Sequence, residues 1–242
     1  MSQAIHFLSN MPTRINKYLS ESGFCSRREA DRLIASKRVI INDRVAVIGD
    51  QVLDHDRVRV DGKPITNQIK RIYLAFHKPV GITSTTDQKI KGNLIDYIQY
   101  PERIFHIGRL DKDSEGLILL TNDGDIVNEI LRAENAHEKE YVVTVDRTVT
   151  DQFCSQMAKG VPILNTVTKP CVVHKLDEKT FKIILTEGLN RQIRRMCAYF
   201  GYDVVSLKRI RIMHLKLDIP RGKYRHLTKG EEANLFQILE RK

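Results

Sequence analysis

The residues best suited to chemistry lie in two segments that each begin with glycine. Residues 108–116 read GRLDKDSEG and place Asp111 in a charged loop directly before the apolar run 117–120. Residues 188–196 read GLNRQIRRM, a loop that enters an arginine-rich helix. A carboxylate where a loop meets a strand is held by rigid structure and can be aimed at a substrate. A fixed aspartate and a fixed arginine would make a catalytic pair.

The loop around Asp111 admits two other interpretations. Asp111, Asp113 and Glu115 mimic the first half of a calcium-binding loop, but its twelfth position, which should be a bidentate glutamate, is Asn122. The segments on both sides are patterned as strands, whereas a calcium loop of this kind lies between helices. A glycosidase pair of Asp111 and Glu115 lacks a sugar-binding platform in the sequence. We therefore expect no metal here and interpret Asp113 and Glu115 as solvated loop charges.

Composition limits the class of protein. With 242 residues, 41% hydrophobic and 29% charged, the chain can form one large or two smaller soluble domains with real cores. It has no apolar run of the ~20 residues that a membrane span needs and no N-terminal secretion pattern, so we expect a cytoplasmic protein that does not enter a membrane. Its four cysteines show no Cys-x-x-Cys spacing, which argues against a thiolate metal site or a redox motif.

The charge balance points to a polyanionic partner. Forty Lys and Arg residues against thirty Asp and Glu residues give a net charge of +10. Such an excess favours nucleic acid, although a basic surface also occurs in proteins that bind none. The placement of the basic residues is therefore more informative than their number.

The N-terminal part is patterned as a small domain of its own. We predict a tail over 1–12, a domain over 13–68 with a polar linker near its end, and a second domain over 69–242. Thr13 is expected to cap a first helix over 14–22, and Ser26 with Glu29 forms a capping box for a second. Short alternating strands follow. Five basic side chains lie outside the buried stripes of these helices, which favours contact with phosphate over a merely solvated face: Arg14, Lys17, Arg27, Arg28 and Arg32.

In the second domain, three further patterns matter. A buried strand over 72–76 ends at a Lys-Pro turn, Lys78 and Pro79. Residues 138–145 alternate as a strand that places Tyr141 on its apolar face, where packing alone would explain it. Residues 190–200 form an amphipathic helix whose arginines lie outside the core.

These segments resemble the bacterial pseudouridine synthases, in the branch that modifies ribosomal RNA uridines one at a time. The resemblance covers nearly the whole chain. It is carried by the Gly-Arg-Leu-Asp loop at 108–111, the Lys-x-Tyr segment at 139–141 and the Gln-Ile-Arg segment at 192–194. Residues 13–68 resemble an S-four-like RNA-binding domain, most closely over 19–30.

The resemblance implies a role for each of these residues. Asp111 would be the catalytic carboxylate, Tyr141 would stack on the target base, and Arg194 would pair with Asp111. Arg109 would enter the RNA stack where the target uridine has left. The remaining basic residues would grip the RNA backbone: Arg14, Lys17, Arg27, Arg28, Arg32, Arg191 and Arg195.

The implied fold is α+β: a small RNA-binding domain, then a larger domain with a mixed, largely antiparallel sheet, flanking helices and a cleft. The implied reaction turns a flipped-out uridine of structured RNA into pseudouridine, without cofactor or metal. The expected substrate is 23S rRNA, and whether a tRNA stem-loop is also modified stays open at this point. The enzyme is expected to be a monomer. Asp111 could attack C1′ or remove a proton from C2′. A noncatalytic RNA-binding factor and an RNA N-glycosidase remain as alternatives.

Overall fold

A computed structural model describes residues 12–66 and 70–240. The chain divides into two compact units between Arg71 and Ile72, close to the domain boundary expected at 68/69. Nearly all of the expected tail, and residues 67–69 of the expected linker, lie outside the described residues. Within the described ranges, no helix is long and apolar enough to cross a membrane.

The N-terminal unit combines two helices with short strands. The described elements are β1 (Thr13–Arg14), α1 (Ile15–Glu21), α2 (Arg27–Ala35), β2 (Val39–Ile41), β3 (Arg44–Val45), β4 (Gln51–Val52), β5 (Val58–Val60) and β6 (Lys63–Ile65). Strands β3, β2, β5 and β6 form one antiparallel sheet in that order, and β1 pairs with β4. One apolar core joins the buried faces of both helices to these strands.

One of the two expected helix caps is present. The Ser26 hydroxyl accepts a hydrogen bond of 3.2 Å from the amide of Glu29 and begins α2, as predicted. The predicted cap at Thr13 is wrong, because Thr13 lies in β1 and pairs with Val52. The residue before α1 is Arg14, which makes no capping hydrogen bond through its side chain. Pairing in the β1–β4 ladder has displaced the local capping preference.

The larger unit is built on one mixed sheet. The described elements of this unit are β7 (Tyr73–Lys78), α3 (Leu94–Ile98), β8 (Phe105–Ile107), β9 (Glu115–Thr121), α4 (Asp125–Leu131), a 3₁₀ turn (Ala133–Asn135), β10 (Lys139–Val145), α5 (Asp151–Ala158), β11 (Pro162–Ile163), β12 (Thr166–Val167), β13 (Val172–Lys175), β14 (Thr180–Leu185), α6 (Gln192–Tyr199), β15 (Val204–Ile212), β16 (Leu215–Lys216), β17 (Tyr224–His226) and α7 (Lys229–Glu240).

The strands of the mixed sheet follow the order β13, β14, β10, β15, β9, β7, β17, with β16 added to β15 and β8 to β9. The pair β9 and β15 is parallel, and the other ladders of this sheet are antiparallel in the residues described. Helices flank the sheet, so the α+β prediction is confirmed.

Helix α6 is fixed on the sheet by its apolar face. Ile193, Met196 and Cys197 are buried in the same core cluster as Tyr141 of β10. The helix pattern predicted over 190–200 is therefore confirmed, and the arginine-bearing end of α6 is held at a fixed place on the sheet.

Gly116 sets the approach of β9 to β15. It lies opposite Arg209 in the parallel ladder and has φ +120°, a conformation that favours glycine. A Cβ at this position would overlap the backbone of Arg209. The absence of a side chain therefore allows the two strands to meet at the point where the Asp111 loop enters β9.

We predict that Gly116→Ala lowers the free energy of unfolding by about 3 kcal/mol or more, because it adds overlap with Arg209 to backbone strain. Gly81→Ala is the matched control, since Gly81 also has positive φ, +93°, but has open space around its missing Cβ. That control should lose only about 1–2 kcal/mol. Urea unfolding measures both variants, and equal losses would contradict the close approach.

Candidate active site

A cleft of about 830 Å³ opens beside the Asp111 loop. Residues of the loop, of β10, of β15 and of the segment leading into α6 line it. The cleft brings together five residues singled out from the sequence: Arg109, Asp111, Tyr141, Arg191 and Arg194. Arg195 does not line it, because its guanidinium turns back to the carbonyl oxygen of Asn190 at 3.0 Å.

The loop before β9 is held through its own backbone. Successive carbonyl oxygens accept hydrogen bonds from surrounding elements, which leaves the loop little freedom. The carbonyl oxygen of Leu110 accepts from Ser84 Oγ at 2.8 Å, and that of Lys112 accepts from Gly81 N at 2.7 Å. The carbonyl oxygen of Asp113 accepts from Arg194 Nη2 at 3.0 Å, and that of Ser114 accepts from Lys78 Nζ at 2.9 Å. The side chains of the loop are thereby presented from a rigid frame, as the sequence predicted.

The carboxylate of Asp111 is open to the cleft. About a third of the side chain is exposed, and it accepts no hydrogen bond from the described residues. Within the described part of the chain, its ion pair is with Arg191, whose Nη1 lies 3.7 Å from Oδ2. A positive charge therefore lies close to the Asp111 carboxylate, and its oxygen lone pairs remain free to contact a substrate.

Asp113 takes the hydrogen bonds that Asp111 does not. Arg191 donates two parallel hydrogen bonds to its oxygens, at 3.2 and 3.1 Å, and Arg194 Nη2 lies 3.3 Å from Oδ2. The hydrogen bonding of Arg191 is the main cause that lowers the pKa of Asp113. The side chain of Asp113 is 47% exposed, as expected for a loop charge, but it is also the junction between the loop and the start of α6, which the sequence did not predict.

The direct ion pair expected between Asp111 and Arg194 is not formed in this structure. Arg194 instead spans from Asp113 and the Ser114 hydroxyl, 3.3 Å away, to the carbonyl oxygen of Val204 at 3.2 Å. It ties the loop to β15. The reason is that Asp113 lies within reach of both guanidinium groups and holds them.

Tyr141 lines the cleft from β10 with 9% of its surface exposed. Its hydroxyl makes no hydrogen bond with the described residues and is not among the buried polar atoms without a partner. The hydroxyl therefore reaches the open space of the cleft. Tyr141 is both a core residue and part of the cleft wall.

The residues expected to bind RNA are mostly exposed. Arg109 lies on the surface at the cleft and forms no ion pair with the described residues. In the N-terminal unit, Arg14, Arg27, Arg28 and Arg32 are exposed and Lys17 is partly exposed. Lys17 lies 3.4 Å from Glu21, and Arg32 lies 2.7 Å from Glu29. These two charges are therefore each paired with a glutamate of their own helix.

Two charged side chains near the loop, Lys78 and Glu115, are more buried and make more polar contacts than the sequence suggested. Lys78 has no exposed surface, and its amino group donates to the carbonyl oxygens of Pro79 and Ser114. Burial lowers its pKa to about 8. Glu115 is not a solvated loop charge, because its side chain is 13% exposed and forms ion pairs with Arg221 at 2.6 Å and Lys208 at 3.7 Å.

Comparison with known proteins defines the class. The family model described as RNA pseudouridylate synthase matches residues 72–199, and that of the S4 domain matches residues 13–53. A solved structure described as a pseudouridylate synthase has a TM-score of 0.69 and 29% identity, covering 92% of this chain and 99% of that one.

Among curated proteins, the Dual-specificity RNA pseudouridine synthase RluF of Salmonella typhi is 55% identical over 96% of this chain and 82% of its own length. The Ribosomal large subunit pseudouridine synthase B of Bacillus subtilis is 32% identical over 94% and 97%. The chain therefore belongs to the RNA pseudouridylate synthase family. It is an isomerase that converts uridine to pseudouridine in RNA, as predicted, and carries an N-terminal RNA-binding domain.

A prediction concerns the buried Lys78. In the folded protein it loses its proton from about pH 8, whereas in the unfolded chain it keeps it up to its ordinary pKa of 10.5. Unfolding then takes up a proton between these values, so the protein gains stability as the pH rises through this window. Relative to Lys78→Met, the parent should gain about 2 kcal/mol between pH 7 and pH 10. Urea unfolding at both pH values measures this, and a stability difference that does not change with pH would contradict it.

Proposed function

We propose that this enzyme acts on uridines of large-subunit ribosomal RNA (23S rRNA) and also on a tRNA stem-loop, as a cytoplasmic monomer. The similarity to a dual-specificity relative and to a large-subunit relative supports two RNA substrates, one of them ribosomal. The reaction changes no oxidation state and takes in no external energy, so it needs neither a redox cofactor nor a nucleotide, and we propose that it proceeds without a metal.

The catalytic assignment rests on the surroundings of the Asp111 side chain. Asp111 is an ionisable carboxylate in the cleft, with the cation of Arg191 3.7 Å away and no hydrogen bond from the described residues. A carboxylate held in a bidentate pair with arginine is a weaker base, because those hydrogen bonds favour its charged form. Asp113 occupies that pair and leaves Asp111 able to react.

In the proposed reaction, the C1′–N1 bond of the uridine breaks and its electron pair leaves with the uracil. Asp111 either bonds to C1′ or removes a proton from C2′. The uracil then rotates and C5 bonds to C1′. In the first route the Asp111–C1′ bond breaks as the new bond forms, and in the second Asp111 returns its proton to C2′. The C5 proton is then lost while N1 gains one, so product and substrate are isomers and the reaction balances without another reactant.

Access to C1′ requires the uridine to leave its stack. Tyr141, on the cleft wall, would then provide the face on which the extruded base stacks, worth roughly 1–3 kcal/mol. Arg109, exposed beside the cleft, would fill the space in the RNA. Arg191 and Arg194 would act by holding the loop through Asp113, and Arg195 and the basic face of the N-terminal unit would contact phosphates without reading sequence.

We predict that Asp111→Asn abolishes release of tritium from 5-tritiated uridine in a structured RNA. The substitution keeps the shape of the side chain but removes its nucleophilicity and basicity. RNA binding should persist, because removing a negative charge cannot weaken attraction to phosphate. Asp113→Asn is the matched control: it removes the same charge from the same loop, loosens Arg191 and Arg194, and should slow turnover without abolishing it.

Three results would contradict this assignment. Turnover by Asp111→Asn would exclude Asp111 as the reacting group. Loss of turnover by the parent in a chelator would indicate a metal. Free uracil as the product would favour the RNA N-glycosidase.

A second prediction separates the two parts of Tyr141. Tyr141→Phe should retain RNA affinity and turn over more slowly, because the ring still stacks while the hydroxyl is lost from the cleft. Tyr141→Ala should lose more, since the base then has no stacking face. Single-turnover rates and filter-binding affinities measure both, and parental rates in both variants would make Tyr141 an ordinary core residue.

A further inference from the structure

Arg209 is a buried cation for which the described residues provide no anion. The residue is 3% exposed, and its Nε donates to the carbonyl oxygen of Leu117 at 2.6 Å. Its Nη2 is buried without an acceptor, and no carboxylate of the described chain forms an ion pair with it. Burying a charge without an ionic partner is costly, so such a group points to a role beyond packing.

The position of Arg209 places this charge in the active-site cleft. Arg209 lies opposite Tyr141 in the ladder of β10 and β15 and is itself a cleft-lining residue. Its Nη1 forms no hydrogen bond with the described residues and is not among the buried unpartnered atoms, so it reaches accessible surface. One nitrogen of the guanidinium is therefore available to a group in the cleft.

Lys139 adds a second positive charge to the same wall. It precedes Tyr141 by two positions on β10, so the two side chains share a face of the sheet, and both line the cleft. Its amino group donates to the carbonyl oxygen of His137 at 3.2 Å. Burial and the charge of Arg209 lower the pKa of Lys139, which agrees with two cations close together.

The anion that suits this place is the uracil itself. The exposed side chain of Arg109, which forms no ion pair with the described residues, already offers charge to phosphate on the open side of the cleft. When the C1′–N1 bond breaks, the departing base carries a negative charge shared by N1, O2 and O4. This anion forms whether Asp111 attacks C1′ or removes the C2′ proton. Preformed donors aimed at developing charge are effective in a site that excludes water.

We propose that Arg209, assisted by Lys139, is a catalytic residue that stabilises the uracil anion by donating to one of its carbonyl oxygens. The proposal rests on the proposed function. In this proposal two groups of opposite charge break the C1′–N1 bond together: the Asp111 carboxylate acts on the sugar, and the Arg209 guanidinium acts on the base.

The test compares single-turnover cleavage of two RNAs that carry uridine or 5-fluorouridine at the target position. Loss of the target nucleoside is measured after nuclease digestion and chromatography. Fluorine stabilises the uracil anion, so a substrate that carries it depends less on Arg209. We expect Arg209→Gln to slow uridine cleavage by about 10²-fold with near-parental RNA affinity. With 5-fluorouridine, Arg209→Gln should slow cleavage by about tenfold or less, because fluorine replaces about half of the stabilisation that Arg209 gives to the uracil anion.

Two further variants keep the test decisive. Lys139→Met leaves the hydrogen bond from Arg209 to Leu117 intact, so it removes a charge from the cleft wall without disturbing β9. We expect it to slow uridine cleavage less than Arg209→Gln does, and to slow 5-fluorouridine cleavage less still. Lys208→Gln is the control, because it removes a charge from the neighbouring position of β15 outside the cleft lining and should cleave both RNAs like the parent.

The possible outcomes separate the role of Arg209 from the proposed function of the enzyme. Parental rates in Arg209→Gln and Lys139→Met, or equal slowing on both substrates, would overturn the role of Arg209 and leave the proposed function intact. Failure of the parent to convert uridine would overturn the proposed function, and this inference with it.

Discussion

The close packing of Gly116 against the backbone of Arg209 is the constraint on which the site depends. It joins β9 to β15 in the parallel pair, while β15 pairs with β10 on its other side. Gly116, Arg209 and Tyr141 consequently lie in one row across three strands. The Asp111 loop enters the sheet at this row, so the carboxylate of Asp111, the side chain of Tyr141 and the buried cation of Arg209 share one cleft.

Two carboxylates of one short loop have different surroundings, and we propose different uses for them. Asp113 is bound by Arg191 and Arg194 and joins the loop to α6 and, through Arg194, to β15. Within the described part of the chain, the ion pair of Asp111 is a longer contact with Arg191. In this proposal Asp113 occupies the arginines and leaves Asp111 as the reactive carboxylate. This division explains why the arginine nearest to Asp111 is not the one that the family resemblance suggested.

The sequence predicted what depends on local pattern. The N-cap at Ser26, the strand that carries Tyr141 and the amphipathic helix α6 follow from spacing alone, and the motifs indicated the family. The partners of Asp113 and the isolation of Arg209 depend on strand register and on segments distant in the chain, which no local pattern encodes. One available signal was the phase of β15, where Arg209 follows Leu207 by two positions on a strand and therefore shares its buried face. The Thr13 cap failed for the related reason that a strand pair formed there.

We propose that this enzyme isomerises uridine in cellular RNA through Asp111. Pseudouridine can be mapped by chemical labelling in ribosomal and transfer RNA from cells with the gene, without it, and with it restored as parent or as Asp111→Asn. We expect sites that disappear on deletion and return only with the parent. Sites that return with Asp111→Asn at equal expression, or no site lost on deletion, would contradict it.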